Sequence, residues 1–246
     1  MNLFAQGFAW IFDPSNNTGS NAILVRLGEH VGITLLTVAI AVVIAVPLGL
    51  LIGHTGRGRS LAVGLSGGVR ALPTLGLLTL LALWLGLGLE APVISFVILA
   101  IPSILAGTYS GVEAIDRVTI DSARAQGMTP WQVLGKVEIP LALPLIVGGI
   151  RAAVLQVVAT VTLAAYINAG GLGGYAFSGL ANSDYVEVLG GSILVIALAI
   201  AFEIVFAALQ RLAVPAGVST GSARQSRRST PRSAPRASTP VEGTHS

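Results

Sequence analysis

Polar side chains that could do chemistry are concentrated in one passage of this sequence. It reads DSARAQGMTPWQVLGKVEIPLALP, runs from Asp121 to Pro144, and lies between two apolar runs. Elsewhere such chemistry is sparse: there is no cysteine, and the three histidines (His30, His54 and His245) are too far apart to cluster by local spacing. We therefore expect neither a thiol site nor a metal site.

Glycine-rich stretches raise the question of phosphate binding. The sequence has no G-x-x-x-x-G-K-[ST] motif, and its single lysine, Lys136, follows no glycine-rich loop. The stretch GGLGG, Gly170 to Gly174, also lacks a lysine. We interpret it as a flexible extracytoplasmic turn and expect that this chain is not an enzyme.

Composition shows which elements must position these residues. Hydrophobic residues make up 53% of the chain and charged residues 10%, and the mean hydropathy is +0.81. Soluble domains carry about 25% charged residues, so these values indicate a membrane protein. Five runs approach the roughly 20 apolar residues that a spanning helix needs: Val31 to Gly53, Ala71 to Leu89, Ala91 to Tyr109, Leu141 to Ile167 and Val188 to Leu209.

The second run has particular neighbours. An amphipathic stretch, Arg59 to Arg70, precedes it, and only one or two residues separate it from the third run. The second and third runs therefore predict a tight helical hairpin.

Basic residues predict the orientation, because Lys and Arg stay on the cytoplasmic side. With five spans, one side carries Arg57, Arg59, Arg117, Arg124, Lys136, Arg211 and the arginines of the tail, whereas Arg26 falls on the other. The N-terminus is predicted to be outside, and both the passage beginning at Asp121 and the C-terminus to be cytoplasmic.

The two ends of the chain differ from its middle. Residues 1–28 predict an extracytoplasmic or interfacial segment, with Leu3 to Phe12 too short to span. Residues 212–246 predict a disordered basic tail rich in Ser, Pro and Arg. Because that tail largely accounts for the pI of 9.8, we expect no nucleic-acid partner. Residues 29–211 form the predicted transmembrane domain.

The loop between the third and fourth runs, residues 110–140, predicts two short helices. The first runs from Thr119, a possible N-cap, to Gly127, since glycine commonly follows a helix end. The second begins with Thr129 as N-cap, Pro130 at the first position and Gln132 completing a capping box. It is predicted to end before Pro140. Such an element could be a structural lid or could dock in a partner, and these features alone favour neither.

Two charges lie inside apolar runs. Arg151 and Glu203 both lie at a depth of roughly 12 to 15 Å, given a rise of about 1.5 Å per residue. Intramembrane charges are costly and usually paired or functional. We predict an ion pair between the fourth and fifth spans, with a structural role favoured over contact with a solute.

The loop passage resembles the EAA loop of binding-protein-dependent ABC importer permeases. That pattern is E-A-A, three residues, Gly, nine residues, then I-x-L-P. Asp121, Ser122 and Ala123 fall on E-A-A, Gly127 falls on the glycine, and the segment from Val137 to Pro140 falls on I-x-L-P. The departures are Asp for Glu, Ser for Ala, and Val with Ile for Ile with Leu.

Four further stretches resemble the permease subunits of osmoprotectant importers: RALPTLGLLTLLAL (Arg70 to Leu83), GTYSGVEAID (Gly107 to Asp116), GGIRAAV (Gly148 to Val154) and INAGGLGGYAFSGL (Ile167 to Leu180). The resemblance covers roughly Glu29 to Arg211. It implies an all-α integral membrane protein with about five transmembrane helices and the type I ABC importer permease fold (MetI-like), located as a multi-pass protein in the cell membrane.

The resemblance also implies roles for individual residues. The ATPase-coupling set is Asp121, Ser122, Ala123, Arg124, Ala125, Gln126, Gly127 and Met128. The frame of the coupling loop is Thr129, Pro130, Val137, Ile139 and Pro140. The candidate external gate is Asn168, Gly170, Gly171 and Gly173.

The implied partners are ABC ATPase subunits, a second permease chain that is identical or similar, an extracytoplasmic substrate-binding protein and the lipid membrane. ATP and Mg would bind to the ATPase chain, and no cofactor to this one. The implied function is ATP-driven import of a small compatible solute such as glycine betaine, carnitine, choline or proline betaine. The alternatives are another small polar solute such as an amino acid, or an ion-coupled secondary transporter.

Overall fold

The computed structural model describes residues 2–212, and this part of the chain is helical without a β-strand. Its α-helices are α1 (Leu3–Ile11), α2 (Ile23–Thr55), α3 (Arg59–Arg70), α4 (Thr74–Leu85), α5 (Glu90–Glu113), α6 (Arg117–Ala125), α7 (Pro130–Val133), α8 (Ile139–Val161), α9 (Gly173–Asn182) and α10 (Tyr185–Leu212). Short 3₁₀ segments cover Pro14–Asn17 and Thr162–Ile167, and a π-helical turn covers Leu134–Glu138. The all-helical prediction is confirmed. Apart from Leu212, the predicted tail lies outside the described residues.

Four helices within residues 2–212 are long and apolar enough to cross a membrane. They are Ile23–Thr55, Glu90–Glu113, the continuous helix Pro130–Ile167, and Tyr185–Leu212. A fifth span is possible only if α3 and α4 are taken together. The helices extend beyond the predicted apolar runs because polar residues at their ends find partners within the protein. For example, α2 begins at Ile23, eight residues before the predicted Val31, and so includes Arg26, Glu29 and His30.

The second predicted span is broken. The axes of α3 and α4 differ in direction by 85°. Pro73 is the N-cap of α4 and has no N–H to donate, so the helical ladder of α3 cannot continue through it. The segment predicted to precede this span is α3, and α3 and α4 together are long and apolar enough for one bent span. The predicted tight link to the third span is four residues long, 86–89, and turns at Gly86 with φ +92°.

The core lies around α5, which packs between α2 and α8. Its fully buried side chains include Phe96 and Ile104 of α5 and Val157 and Val158 of α8. Close backbone contact replaces side chains at one crossing, where a Cβ added to Gly107 would lie 2.7 Å from the Cα of Gly149. Small residues of this kind are what allow helices to associate in lipid.

The bundle has two ends, which we name by the short helices there. At the α6 end, α2 and α5 finish; at the α9 end, α2 and α10 begin. The predicted interfacial segment forms α1 and packs on α10 near the α9 end, where the Trp10 and Tyr175 rings meet edge to face with centroids 5.0 Å apart. Burial raises the pKa of the Tyr175 hydroxyl, which donates to the carbonyl of Asn21 at 2.5 Å.

Candidate functional site

Helix α6 contains most of the predicted coupling set, and its N-cap lies three residues earlier than predicted. Its N-cap is Asp116, whose Oδ1 accepts from the N–H of Val118 at 3.0 Å. The prediction of Thr119 as N-cap is wrong, because Asp116 is an equally suitable cap at the point where the chain leaves α5.

The end of α6 is set by glycine, as predicted. Gly127 has φ +83°, a conformation that side-chain-bearing residues adopt at a cost of roughly 1–2 kcal/mol. Its N–H donates to the carbonyl of Arg124 at 2.9 Å, and the N–H of Met128 donates to the carbonyl of Ala123 at 3.3 Å. These two bonds form a Schellman motif, which ends the helix and turns the chain toward α7.

Most of α6 faces outward. Only Ala123 is buried, and it lies in a groove shared with Val137 of the π turn. Val118 is 70% exposed although it is apolar, and Trp131 of the adjacent α7 is 77% exposed. We call the exposed side chains Val118, Asp121, Ser122, Arg124 and Trp131 the α6 surface. It combines apolar area with charge at a polar end of the bundle.

The second half of the loop starts as predicted and ends differently. The capping box is present: the Thr129 hydroxyl accepts from the Gln132 N–H, and the Gln132 side chain accepts from the Thr129 N–H at 2.9 Å. The predicted end before Pro140 is wrong. Ile139 donates to the carbonyl of Leu134, a π-type bond, and the helix then continues into α8 through Pro140 and Pro144. A proline in a helix cannot donate and crowds the preceding turn, and the wider π turn accommodates both effects.

A buried pair joins this loop to α2. Glu138, at the x of the I-x-L-P pattern, is 4% exposed, and its Oε2 lies 2.6 Å from Nδ1 of His54. Nearby, Arg59 and Glu113 approach to 3.5 Å. These groups line a polar cavity of about 600 Å³ beside α6. Neither His54 nor Glu138 was predicted as a site residue, because 84 residues separate them.

The predicted external gate lies at the α9 end, where α2 holds it. Asn168, Gly170 and Gly171 all have positive φ, at +62°, +91° and +84°. The Glu29 Oε2 accepts from the Gly171 N–H at 2.8 Å and from Arg26 Nη1 at 3.2 Å. The GGLGG turn is thus fixed in place by a carboxylate of α2 and is not the flexible turn that the sequence predicted.

Gly173, the remaining gate residue, has no room for a side chain. A Cβ built on it would lie 2.0 Å from the carbonyl oxygen of Thr162. This glycine therefore allows α9 to start directly against the 3₁₀ segment.

His30 ties the same turn to the core. Its side chain is fully buried, with Nδ1 3.3 Å from the N–H nitrogen of Leu172 and Nε2 2.9 Å from the carbonyl oxygen of Val158. Since the Leu172 N–H is a donor, Nδ1 accepts and the proton resides on Nε2, where it is donated to Val158. The first bond connects α2 to the chain that follows α8, and the second connects α2 to α8 itself. Local spacing does not indicate either contact, because the partners lie 128 and 142 residues away.

Arg151 and Glu203 lie together between α8 and α10. Arg151 Nε is 2.9 Å from Glu203 Oε2, and a second bond joins Nη2 to Oε1, so the contact is bidentate. Gln210, which was not predicted, accepts from Arg151 Nη1 at 2.9 Å and donates to the carbonyl of Pro144 at 3.2 Å. The guanidinium thus has three bonds to α10.

The helical bundle and its exposed loop helix define a multi-pass membrane protein of the permease class. The chain belongs to the family of binding-protein-dependent transport system inner membrane components, whose model matches residues 45–216. The resemblance drawn from the EAA-like loop is thereby confirmed.

Several curated relatives are osmoprotectant permeases. The chain is 33% identical over 201 residues to the glycine betaine/carnitine/choline transport system permease protein OpuCB of Bacillus subtilis, covering 82% of this chain and 93% of the relative. It is 35% identical over 196 residues to the carnitine transport permease protein OpuCB of Listeria monocytogenes, covering 80% and 90%.

A solved structure shows the same fold. The inward-facing MetNI methionine ABC transporter contains a chain that aligns with a TM-score of 0.69 at 23% identity, covering 78% of this chain and 96% of that one.

Proposed function

We propose that this chain is the membrane-spanning subunit of an ATP-driven importer for a small compatible solute of the glycine betaine, carnitine or choline type. The observation that carries the coupling part of the proposal is α6, a short capped helix between α5 and α8 with nearly all of its side chains exposed. Curated relatives with osmoprotectant names support the solute class. ATP and Mg would bind to a separate ATPase chain, because this sequence lacks a phosphate-binding loop.

We place the α6 end in the cytoplasm and the α9 end outside. Arg57, Arg59, Arg117, Arg124 and Lys136 lie in the segments that follow α2 and α5 at the α6 end. In the first turns of α2 at the opposite end, the single basic side chain is Arg26. This asymmetry follows the tendency of Lys and Arg to stay in the cytoplasm.

In this arrangement the ATPase would hold the α6 surface. Closure of the ATPase dimer would move α6, and three connections would pass that movement to the spans. The chain joins α6 directly to α5. The segment that starts at Thr129, with α7 and the π turn, joins α6 to α8. The Glu138–His54 contact joins the end of that segment to α2. These helices would switch the solute path from outward-open to inward-open, around an axis shared with a second permease chain. A substrate-binding protein would deliver solute at the α9 end.

The coupling assignment is tested at Gly127. Gly127→Val places a β-branched residue at φ +83°, whereas Gly127→Asn places a residue that tolerates this conformation. We expect the Val variant to lose at least about tenfold in affinity for the ATPase chain, which corresponds to roughly 1.4 kcal/mol. The Asn variant should stay close to wild type.

The measurement is co-purification with the candidate ATPase chain, followed by ATP-dependent uptake in proteoliposomes. Full ATPase retention and uptake by Gly127→Val would show that α6 is not the coupling helix. Uptake driven by an ion gradient without the ATPase would instead support a secondary transporter.

For Arg151 and Glu203 we propose a structural role. Both charges are matched in a bidentate contact, and removal of one partner leaves an intramembrane charge uncompensated. Arg151→Ala alone should prevent assembly, whereas the combined Arg151→Leu and Glu203→Leu protein should assemble and transport. A double variant that assembles without transporting would contradict this role.

A further inference from the structure

Arg70 is a charged residue about halfway between the two ends of the bundle. It is the last residue of α3, and its Nη2 lies 3.3 Å from Oγ of Ser103 in α5. Ser103 is ten residues from the α6 end of α5 and thirteen from its other end, or about 15 and 20 Å at 1.5 Å per residue. The hydrocarbon core is about 30 Å thick, so the guanidinium lies near its midplane.

A chain of polar side chains extends inward from this guanidinium. The Ser103 hydroxyl donates to Gln156 Oε1 at 3.2 Å, and Gln156 Nε2 donates to the carbonyl of Leu99 at 3.1 Å. The three side chains come from α3, α5 and α8, and two of them lie on helices that are otherwise strongly apolar. They hold the guanidinium in one direction at the junction of three helices.

The outer side of Arg70 has no acidic partner. Its side chain is exposed, and within residues 2–212 no carboxylate oxygen approaches it within 4.0 Å. By contrast, Arg151 at similar depth is matched by Glu203. An Arg facing lipid at the midplane costs at least about 2.5 kcal/mol, and charges at this depth nearly always face a protein interior or a water-filled cavity. The open side of Arg70 therefore faces polar space outside this single chain, which in a two-permease importer is the central path.

The break between α3 and α4 adds to the positive potential there. Helix α4 starts four residues after Arg70, and Pro73 at its N-cap offers no side-chain acceptor for the first N–H groups. The start of a helix carries a partial positive charge and favours an anion. The guanidinium and this helix start are thus adjacent in the chain, and both favour an anionic group.

We propose that Arg70, positioned by Ser103 and Gln156, is a midplane contact for the carboxylate of a zwitterionic solute as it passes through the transporter. The inference rests on the proposed function and deepens it, because it assigns a recognition group in the permease itself. A guanidinium binds a carboxylate through a planar two-pronged contact and repels a quaternary ammonium group. The site therefore distinguishes glycine betaine, which has a carboxylate, from choline, which has a hydroxyl in its place.

The experiment compares these two probes in proteoliposomes containing the complete importer, with permease, ATPase and binding protein. Arg70→Gln should lower kcat/KM for glycine betaine uptake by about tenfold or more, as expected for loss of a hydrogen bond to a charged group. Choline uptake should change much less. Arg70→Lys keeps the charge but loses the planar fork, so its kcat/KM for glycine betaine should lie between those of wild type and Arg70→Gln. Arg57→Gln removes an arginine from the α2–α3 turn and serves as the matched control, with uptake of both probes unchanged.

Each possible outcome either supports or overturns the proposed carboxylate contact. Equal losses for both probes, or no loss for either, would overturn the carboxylate contact while leaving the proposed function intact. If Arg70→Gln does not assemble, Gln156→Glu decides, since a carboxylate near Ser103 should also weaken glycine betaine uptake selectively. Wild-type uptake of choline without glycine betaine would overturn the contact. Wild-type uptake of neither solute would overturn the proposed solute class and this inference with it.

Discussion

The two ends of α2 each carry a histidine that ties this helix to the chain around α8, and the two contacts differ in kind. His30, near the α9 end, bonds two backbone groups, the carbonyl of Val158 and the N–H of Leu172. His54, at the α6 end, bonds a side chain, the carboxylate of Glu138. Mutation can change a side-chain partner but not a backbone partner. Loss of His30 therefore cannot be compensated by a second substitution at its partners, whereas loss of His54 can be compensated at Glu138. We call the His54 contact adjustable in this sense.

The two ends of the bundle also differ in how their loops are held. The GGLGG turn at the α9 end is largely buried and fixed by Glu29 and His30 across 142 residues of sequence. Helix α6 is almost wholly exposed and is shaped by its own caps. The first end is specified by long-range burial, and the second leaves its surface free for a partner. The α9 end is therefore held by contacts within the chain, whereas the α6 end has a surface exposed.

The largest expected effect is at the fixed end. Gly173→Ala should prevent accumulation of folded protein, because its Cβ would lie 2.0 Å from the Thr162 carbonyl oxygen and relief requires a backbone shift. Overpacking typically costs about 1–3 kcal/mol, and a backbone clash this close should exceed that range. Gly174→Ala is the matched control, since its Cβ would have Arg26 Cζ as nearest neighbour at an ordinary 3.7 Å. Yield and thermal unfolding in detergent compare the two; equal behaviour would remove the claim that this end is tightly fixed.

The next effect separates the two histidines directly. His54→Leu leaves the Glu138 carboxylate buried without its partner and should destabilise by about 3 kcal/mol. Adding Glu138→Leu should restore most of that loss, because two apolar side chains replace both polar partners. His30→Leu should cost about 2–4 kcal/mol, since it leaves two buried backbone groups unpaired.

Denaturant unfolding of the three variants provides the measurement. No substitution of a single partner side chain can rescue His30→Leu. If the double Leu variant is no more stable than His54→Leu alone, the idea of an adjustable contact at the α6 end is wrong.

The smallest effect on stability should come with a clear effect on function. Val118→Ser changes an apolar side chain that is 70% exposed, so its free energy of unfolding should move by less than about 0.5 kcal/mol. Binding to the ATPase chain should nevertheless weaken measurably, because apolar area on the α6 surface is lost. Val25→Ser, at 45% exposure near the α9 end, is the control and should leave ATPase binding unchanged. Equal binding by both variants would exclude Val118 from the interface.

Features set by local sequence were predictable. The Thr129 capping box and the Gly127 terminus depend on residues within five positions of one another, and both are present in the structure. The membrane class and the order of the spans followed from apolar runs. The pairing of Arg151 with Glu203 could be expected because few intramembrane charges were available.

Features set by distant partners were not predictable. His30, His54 and Gln210 bond to groups that are 59 to 142 residues away, and no local spacing indicates such contacts. One proline was also misjudged. Pro140 lies within a helix that its ring suggested should stop. The π turn before it, in which Ile139 donates to the carbonyl of Leu134, makes room for the ring, and local sequence does not indicate that turn.

The π turn at Leu134–Glu138 also preserves the rotational phase of the helix. Successive residues of an α-helix are rotated by about 100°, so one extra residue in an ordinary turn would rotate everything before it by about that angle. A π turn, in which Ile139 bonds the carbonyl of Leu134, takes up the extra residue within a single wider turn. Helix α7 and its Trp131 therefore keep nearly the direction that an uninterrupted helix leading into α8 would give them.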